Sequence, residues 1–142
     1  MEQNCEREVT DLHRFFVDWL SGALPKTEAA FARCSDVLAE GFALISPRGV
    51  LTERAALIGE LKAAHGSLGG SEPPFVIEVR NFRNRRTDGE LCLVTYEEWQ
   101  QREVQTTGRL SSAWFRARKG TPNGVEWLHV HETWLPQANP TR

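Results

Sequence analysis

The sequence predicts an α+β domain in which three helices from the first half lie against a curved, mostly antiparallel sheet of about six strands. Three observations carry this. Apolar residues recur at helical spacing from Cys5 to Leu24. After a loop rich in Gly and Pro, Gly66 to Pro74, the pattern changes to alternation in four long runs. The connections between those runs are short, which makes neighbouring strands antiparallel.

Val9, Leu12, Phe16, Trp19, Leu20 and Ala23 form the buried stripe of the first helix, with Asn4 as its expected N-cap and Gly22 and Pro25 as its stop. Thr27 caps a shorter helix running to about Cys34, and Ser35 to Glu40 is read as a turn. Phe42–Ser46, the Pro47-Arg48-Gly49 turn and Val50-Leu51 predict a small hairpin. Thr52 is the expected cap of a third helix with Leu57, Ile58, Leu61 and Ala64 on its inner side and Gly66 as its stop. Four strands follow: Phe75–Arg85, Glu90–Arg102, Gly108–Lys119 and Val125–Leu135. Their turns are placed at Asp88-Gly89, around Thr106-Thr107-Gly108 and from Gly120 to Gly124. Residues 1–135 make one domain, and 136–142 read as a flexible C-terminal tail.

The chain of 142 residues is long enough for one core that buries roughly two-thirds of the unfolded surface. Its formal net charge of −2 gives no global reason to bind nucleic acid or an anionic membrane. The basic run Arg80, Arg83, Arg85 and Arg86 sits near a strand end without interleaved exposed aromatics, which suits a solvated hairpin better than a nucleic-acid surface. No uncharged apolar run approaches the roughly 18 residues of a membrane span, and the N-terminal residues are too polar for a secretory leader. Cys5, Cys34 and Cys92 are odd in number and widely spaced, which predicts reduced thiols and a cytoplasmic location.

The last strand carries the densest chemistry: Val125-Glu126-Trp127-Leu128-His129-Val130-His131-Glu132-Thr133-Trp134-Leu135. His129 and His131 share one face at a spacing used by some metal sites, but Glu132 points the other way and no third ligand is evident, so no metal or other cofactor is expected. Tyr96-Glu97-Glu98-Trp99 is a second polar cluster. One of its glutamates must face inward, where burial would raise its pKa as a general acid or base requires; pairing with an arginine such as Arg109 or Arg116 is the structural alternative. Both faces of the last two strands hold large rings, which predicts a homodimer packed through the sheet.

The segments Phe42–Gly49, Leu93–Trp99, Arg109–Phe115 and Trp127–Trp134, in this order of elements, resemble the nuclear transport factor 2-like superfamily. They are similar to its SnoaL-like branch and the domain of unknown function 4440 family, and the last two strands resemble the association domain of calcium/calmodulin-dependent kinase II. The resemblance implies a cystatin-like cone: a strongly curved sheet wrapped around the helices, a pocket inside, and dimers. Arginines stand on the last strands of the association domain where this sequence has Ser112 and Trp134. The same placement implies that Leu110, Ser112, Trp114, Leu128, Val130, Glu132 and Trp134 face the pocket, and favours Glu97 and Trp99 over Tyr96 and Glu98. The expected function is binding of a small apolar or carbonyl-containing molecule. Trp19, Trp99, Trp114, Val130 and Trp134 would form the walls, and Glu132, Ser112 and Glu97 or Glu98 would orient it. One alternative is an isomerase, cyclase or dehydratase with Glu132 as general base and Tyr96 or Ser112 as donor to an oxyanion. Another is an assembly module without a ligand.

Overall fold

A computed structural model describes residues 1–138. Three helices, α1 (Glu2–Leu20), α2 (Glu28–Ser35) and α3 (Arg54–Ala63), combine with β1 (Leu38–Ile45), β2 (Leu51–Glu53), β3 (Val76–Asp88), β4 (Leu91–Arg102), β5 (Gln105–Ala117) and β6 (Val125–Trp134). The six strands form one sheet in the order β2-β1-β6-β5-β4-β3. Four of its five strand pairings are antiparallel, but β1 runs parallel to β6, so the sheet is mixed. That pairing begins at Leu38, opposite Trp127, within the segment expected to be a turn.

Apolar periodicity on α1 works as expected: Val9, Leu12 and Trp19 are buried, joined by Cys5 and Phe15. The helix starts earlier than Asn4, at Glu2, and no side chain caps it. Thr27 does cap α2, its hydroxyl accepting from the Ala30 N–H at 3.1 Å. At α3 the capping position is Glu53 rather than Thr52, without a side-chain bond. None of the α3 residues is fully buried; Leu57, Ile58 and Leu61 lie half-covered against the core. This helix therefore borders an internal space rather than filling one.

The segment after α3 is fastened to the end of α1. The Gly66 N–H donates to Trp19 O at 3.0 Å and the Leu68 N–H to Leu20 O at 2.8 Å. A Cβ on Gly69 would stand 2.8 Å from Ser21 O, so only glycine permits this approach. Leu20 O, which the end of α1 leaves open, is thereby satisfied, Trp19 O gains a second donor besides the Gly22 N–H, and Leu68 is brought over the cone's interior. At the other end Pro136–Ala138 form a short 3-10 turn, while residues 139–142 of the expected flexible tail lie outside the described residues.

Hairpin geometry decides which strand residues face inward. The β4–β5 turn is tight, Arg102 pairing with Gln105 around Glu103-Val104, with Glu103 at φ 56°. It precedes the expected turn at Thr106–Gly108, which instead belongs to β5. A two-residue turn places even-numbered residues of β4 opposite odd-numbered residues of β5: Tyr96 pairs with Ser111 and Glu98 with Arg109. Ser111 in turn pairs with Glu132 and Ala113 with Val130. The inner face thus carries Tyr96, Glu98, Arg109, Ser111, Val130 and Glu132. The inward orientation expected for Glu97, Trp99, Leu110, Ser112 and Trp114 is corrected: these residues stand on the outer face. On β6 a register shift between Trp114 and Phe115 breaks the alternation at Leu128, so Trp127 is buried in its place.

Candidate functional site

Between α1, α3 and the concave face lies a cavity of about 380 Å³, within the range of about 300–1,000 Å³ usual for small-molecule sites. Most of its wall is apolar: Leu12 and Phe16 from α1, Leu57 and Leu61 from α3, Phe42 and Leu44 from β1. Its polar groups gather on one side, with His13 from α1, Tyr96, Glu98 and Gln100 from β4, Arg109 from β5 and Glu132 from β6. Arg102 also lines the cavity and is exposed.

His13 is buried, with Nδ1 2.7 Å from Val9 O and Nε2 3.0 Å from Glu98 Oε1. The Val9 carbonyl only accepts, so Nδ1 donates, and with Glu98 held ionised Nε2 donates as well, making the pair an imidazolium and a carboxylate. Burial works against that charge, but the Glu98 carboxylate and the Val9 carbonyl hold the His13 pKa above 6.5. Burial likewise opposes ionisation of Glu98; the His13 charge and hydrogen bond, aided by Arg109 and Gln100, nevertheless bring it down to about 2. Glu98 Oε2 accepts from Gln100 Nε2, so both of its oxygens are occupied.

Glu132 differs. It is buried, its Oε1 accepts one bond from Arg109 Nη1 at 3.1 Å, and its Oε2 has no partner among the described residues. Burial and the neighbouring Glu98 charge push it up to about 7, against the pull of Arg109 and His13. The Arg109 guanidinium lies 4.8 Å from the Trp134 ring, and its buried Nε is without a partner among the described residues. Tyr96 is pushed well above 10 by burial and by the charges of Glu98 and Glu132, so its phenol stays a donor. The buried Ser111 Oγ beside it and the Arg109 charge work in the other direction. Cys34, also at the cavity wall, is pushed up to about 12 by burial and is no thiolate nucleophile.

Of the residues expected to form the site, Glu132, Tyr96, Glu98 and Val130 line the cavity. Trp134 stacks on Arg109 beside it, and Trp19 is core, its indole donating to Leu61 O at 2.7 Å. Ser112 is exposed and Trp114 half-covered on the outer face. Trp99 lies on that face too, under Arg80 at 4.7 Å, with its Nε1 donating to Glu97 Oε1. His129 and His131 flank Trp114 and Ser112 on the same outer side. Among the described residues no group of three or more His, Cys, Asp or Glu side chains could hold a metal. His13 was missed from the sequence although it stands four residues after Val9, on the buried stripe of α1.

Over residues 5–136 the sequence matches a family described as sucrose-6-phosphate phosphohydrolase C-terminal. The chain belongs to that family. Two curated relatives are sucrose-phosphatase 1 and sucrose-phosphatase 2 of Nicotiana tabacum, 24% and 29% identical over 92% of this chain. The chain spans about a third of their length, 31% of each. Solved structures similar to this member of the family are nuclear transport factor 2-like proteins and kinase hubs. One, a nuclear transport factor 2-like protein of unknown function from Pseudomonas aeruginosa, has a TM-score of 0.81 at 23% identity and covers 93% of this chain and 98% of that one. The calcium/calmodulin-dependent kinase II hub of S. rosetta has a TM-score of 0.71 at 11% identity, covering 94% and 96%. A third, from Novosphingobium aromaticivorans, is described as having a cystatin-like fold, with a TM-score of 0.66 at 12% identity over 96% and 82%. The fold is therefore the cystatin-like, nuclear transport factor 2-like cone that the sequence resembled.

Proposed function

We propose that this domain binds a small, mainly apolar molecule with one polar end, such as a carbonyl compound, inside the cone. The observation that carries the reading is the division of the cavity wall: apolar on most sides, with Glu132, Arg109 and Tyr96 converging on one. Glu132 Oε2 and Arg109 Nη2 make no hydrogen bond among the described residues and are the unspent groups of that pair. Screening a library of small carbonyl compounds by ligand-observed NMR tests it. Binding that is weakened by Leu57→Trp, which would fill the cavity, supports the reading; binding unchanged by that variant contradicts it.

The binding unit we propose is a homodimer joined through the outer sheet face, where Leu110 and Leu91 are exposed beside Trp114 and Leu93. Trp114→Glu should yield a monomer in sedimentation velocity with unchanged far-UV circular dichroism. No helix among the described residues is long and apolar enough to cross a membrane. Three buried cysteines without disulfides suit the reducing cytoplasm we propose as its location. The match to sucrose-phosphatases we read as a shared binding domain, not as phosphatase activity in this cone.

A second reading, proton transfer next to a carbonyl, draws on one observation: a carboxyl pushed to about 7 beside a protonated Tyr96 suits a general base facing an oxyanion donor. Glu132→Gln would separate the two, since loss of turnover with affinity retained favours catalysis and unchanged turnover removes it.

A further inference from the structure

We propose that the polar end of the cavity receives the carboxylate of a small organic acid on Arg109, and that binding is accompanied by uptake of one proton at Glu132. The proposal rests on reading the cavity as a ligand site and deepens it by naming the ligand class and its coupling to pH.

The charges around Glu132 are few. His13 on α1 and Glu98 on β4 form a closed pair, each neutralising the other. Tyr96 stays protonated, as does Cys34. Arg109 on β5 is the remaining nearby cation and is half-buried, with Arg102 exposed farther out on β4. Without a ligand, Glu132 is the counter-charge of Arg109, but an incomplete one. It makes a single contact at 3.1 Å rather than the paired fork that a guanidinium and a carboxylate form when free to align. Arg109 Nη2 makes no hydrogen bond among the described residues and, unlike the enclosed Nε, is not shut off from the cavity. A half-buried guanidinium with an unpaired terminal nitrogen favours a second acceptor, and a carboxylate in the cavity would supply it at Nη2.

Two carboxylates cannot both remain ionised beside one guanidinium at low dielectric, and Glu98 already adds a third negative charge nearby. Glu98 is held ionised by His13, so the proton goes to Glu132. The protonated acid then becomes a hydrogen-bond donor to the ligand instead of a competitor for Arg109. The balance is one proton taken from solvent onto a Glu132 oxygen, with no covalent bond made or broken elsewhere. The apolar remainder of the cavity would accept the hydrocarbon part of the acid.

The test uses linear and phenyl-substituted monocarboxylates of two to ten carbons, each with its primary amide, titrated calorimetrically into the whole chain. Titrations run from pH 6 to 8 in phosphate and in Tris, whose different ionisation enthalpies reveal proton exchange. Acids are expected to bind more tightly than their amides, with affinity falling about tenfold from pH 6 to pH 8 and proton uptake approaching one per site at pH 8. Glu132→Gln, neutral at every pH, should bind the acids with no pH dependence and no proton uptake. Arg109→Gln should erase the preference for acids over amides. Acids that bind without proton uptake, or amides that bind equally well, would overturn the proposal while leaving the cavity as a ligand site. No binding of either series to the native chain or to Glu132→Gln would overturn both.

Discussion

Two glutamates in this domain are buried to a similar degree and serve opposite ends. Glu8, on α1, is fully enclosed and saturated: Arg33 reaches it through both terminal nitrogens at 2.8 and 3.2 Å, Asn123 at 3.0 Å and the Trp127 indole at 2.9 Å. It ties α1 to α2, to the β5–β6 loop and to β6. Glu132, on β6, has one donor and a cavity in front of it. Burial of a charge therefore does not by itself mark a functional site. What distinguishes the two is whether the protein supplies every hydrogen bond or leaves some to be made.

The comparison is broken most severely by removing Glu8. Glu8→Ala strands the Arg33 charge and the Trp127 N–H, and is expected to cost about 3–5 kcal/mol in urea unfolding. A loss no larger than that of an exposed substitution would show that the network contributes little.

Glu132 should behave in the opposite sense. Its folded pKa of about 7 lies above the ordinary carboxylate value of 4.5. A raised pKa means its contribution to stability is fully present below pH 4.5 and is lost as pH rises through 7. The native chain should lose about 1–3 kcal/mol between pH 5 and pH 8 on this account, and Glu132→Gln should flatten that decline. Thermal unfolding across the range measures it. His13, also raised, adds to the same alkaline loss, so some slope should survive in the variant.

Glu98 sets the acid side. With a folded pKa of about 2, its contribution is present above pH 4.5 and lost as pH falls toward 2. Glu98→Gln should remove that acid limb and, by deleting a neighbouring negative charge, lower the Glu132 midpoint; an unmoved midpoint would uncouple the two carboxyls. The smallest effect is expected on the outer face, where Ser112→Ala should change stability by less than about 0.5 kcal/mol and leave ligand binding unaltered.

The order of elements was legible because periodicity and turn chemistry are local properties. Val9, Leu12 and Trp19 mark α1, and Thr27 announces the start of α2. Glu132 was legible as well, as a carboxylate among rings on a strand. Facing was not, because it depends on register, and register depends on where each turn closes. The resemblance to the kinase association domain chose Ser112 and Glu97, whereas the pairing set by the Glu103-Val104 turn puts Ser111 and Glu98 inside. Large rings also misled: Trp99 and Trp114 suggested pocket walls, whereas Trp99 is covered from outside by Arg80. His13 illustrates a third limit, since its partner Glu98 stands 85 residues away and only the fold brings them to 3.0 Å.

The central claim is that Glu132 is an unsaturated, cavity-facing carboxyl whose proton is exchangeable near neutrality. Carbon-13 NMR titration of the glutamate side-chain carboxyls, with the Glu132 signal assigned by its absence in Glu132→Gln, tests this directly. The account predicts a midpoint of about 7. A midpoint in the ordinary carboxylate range near 4.5 would contradict it.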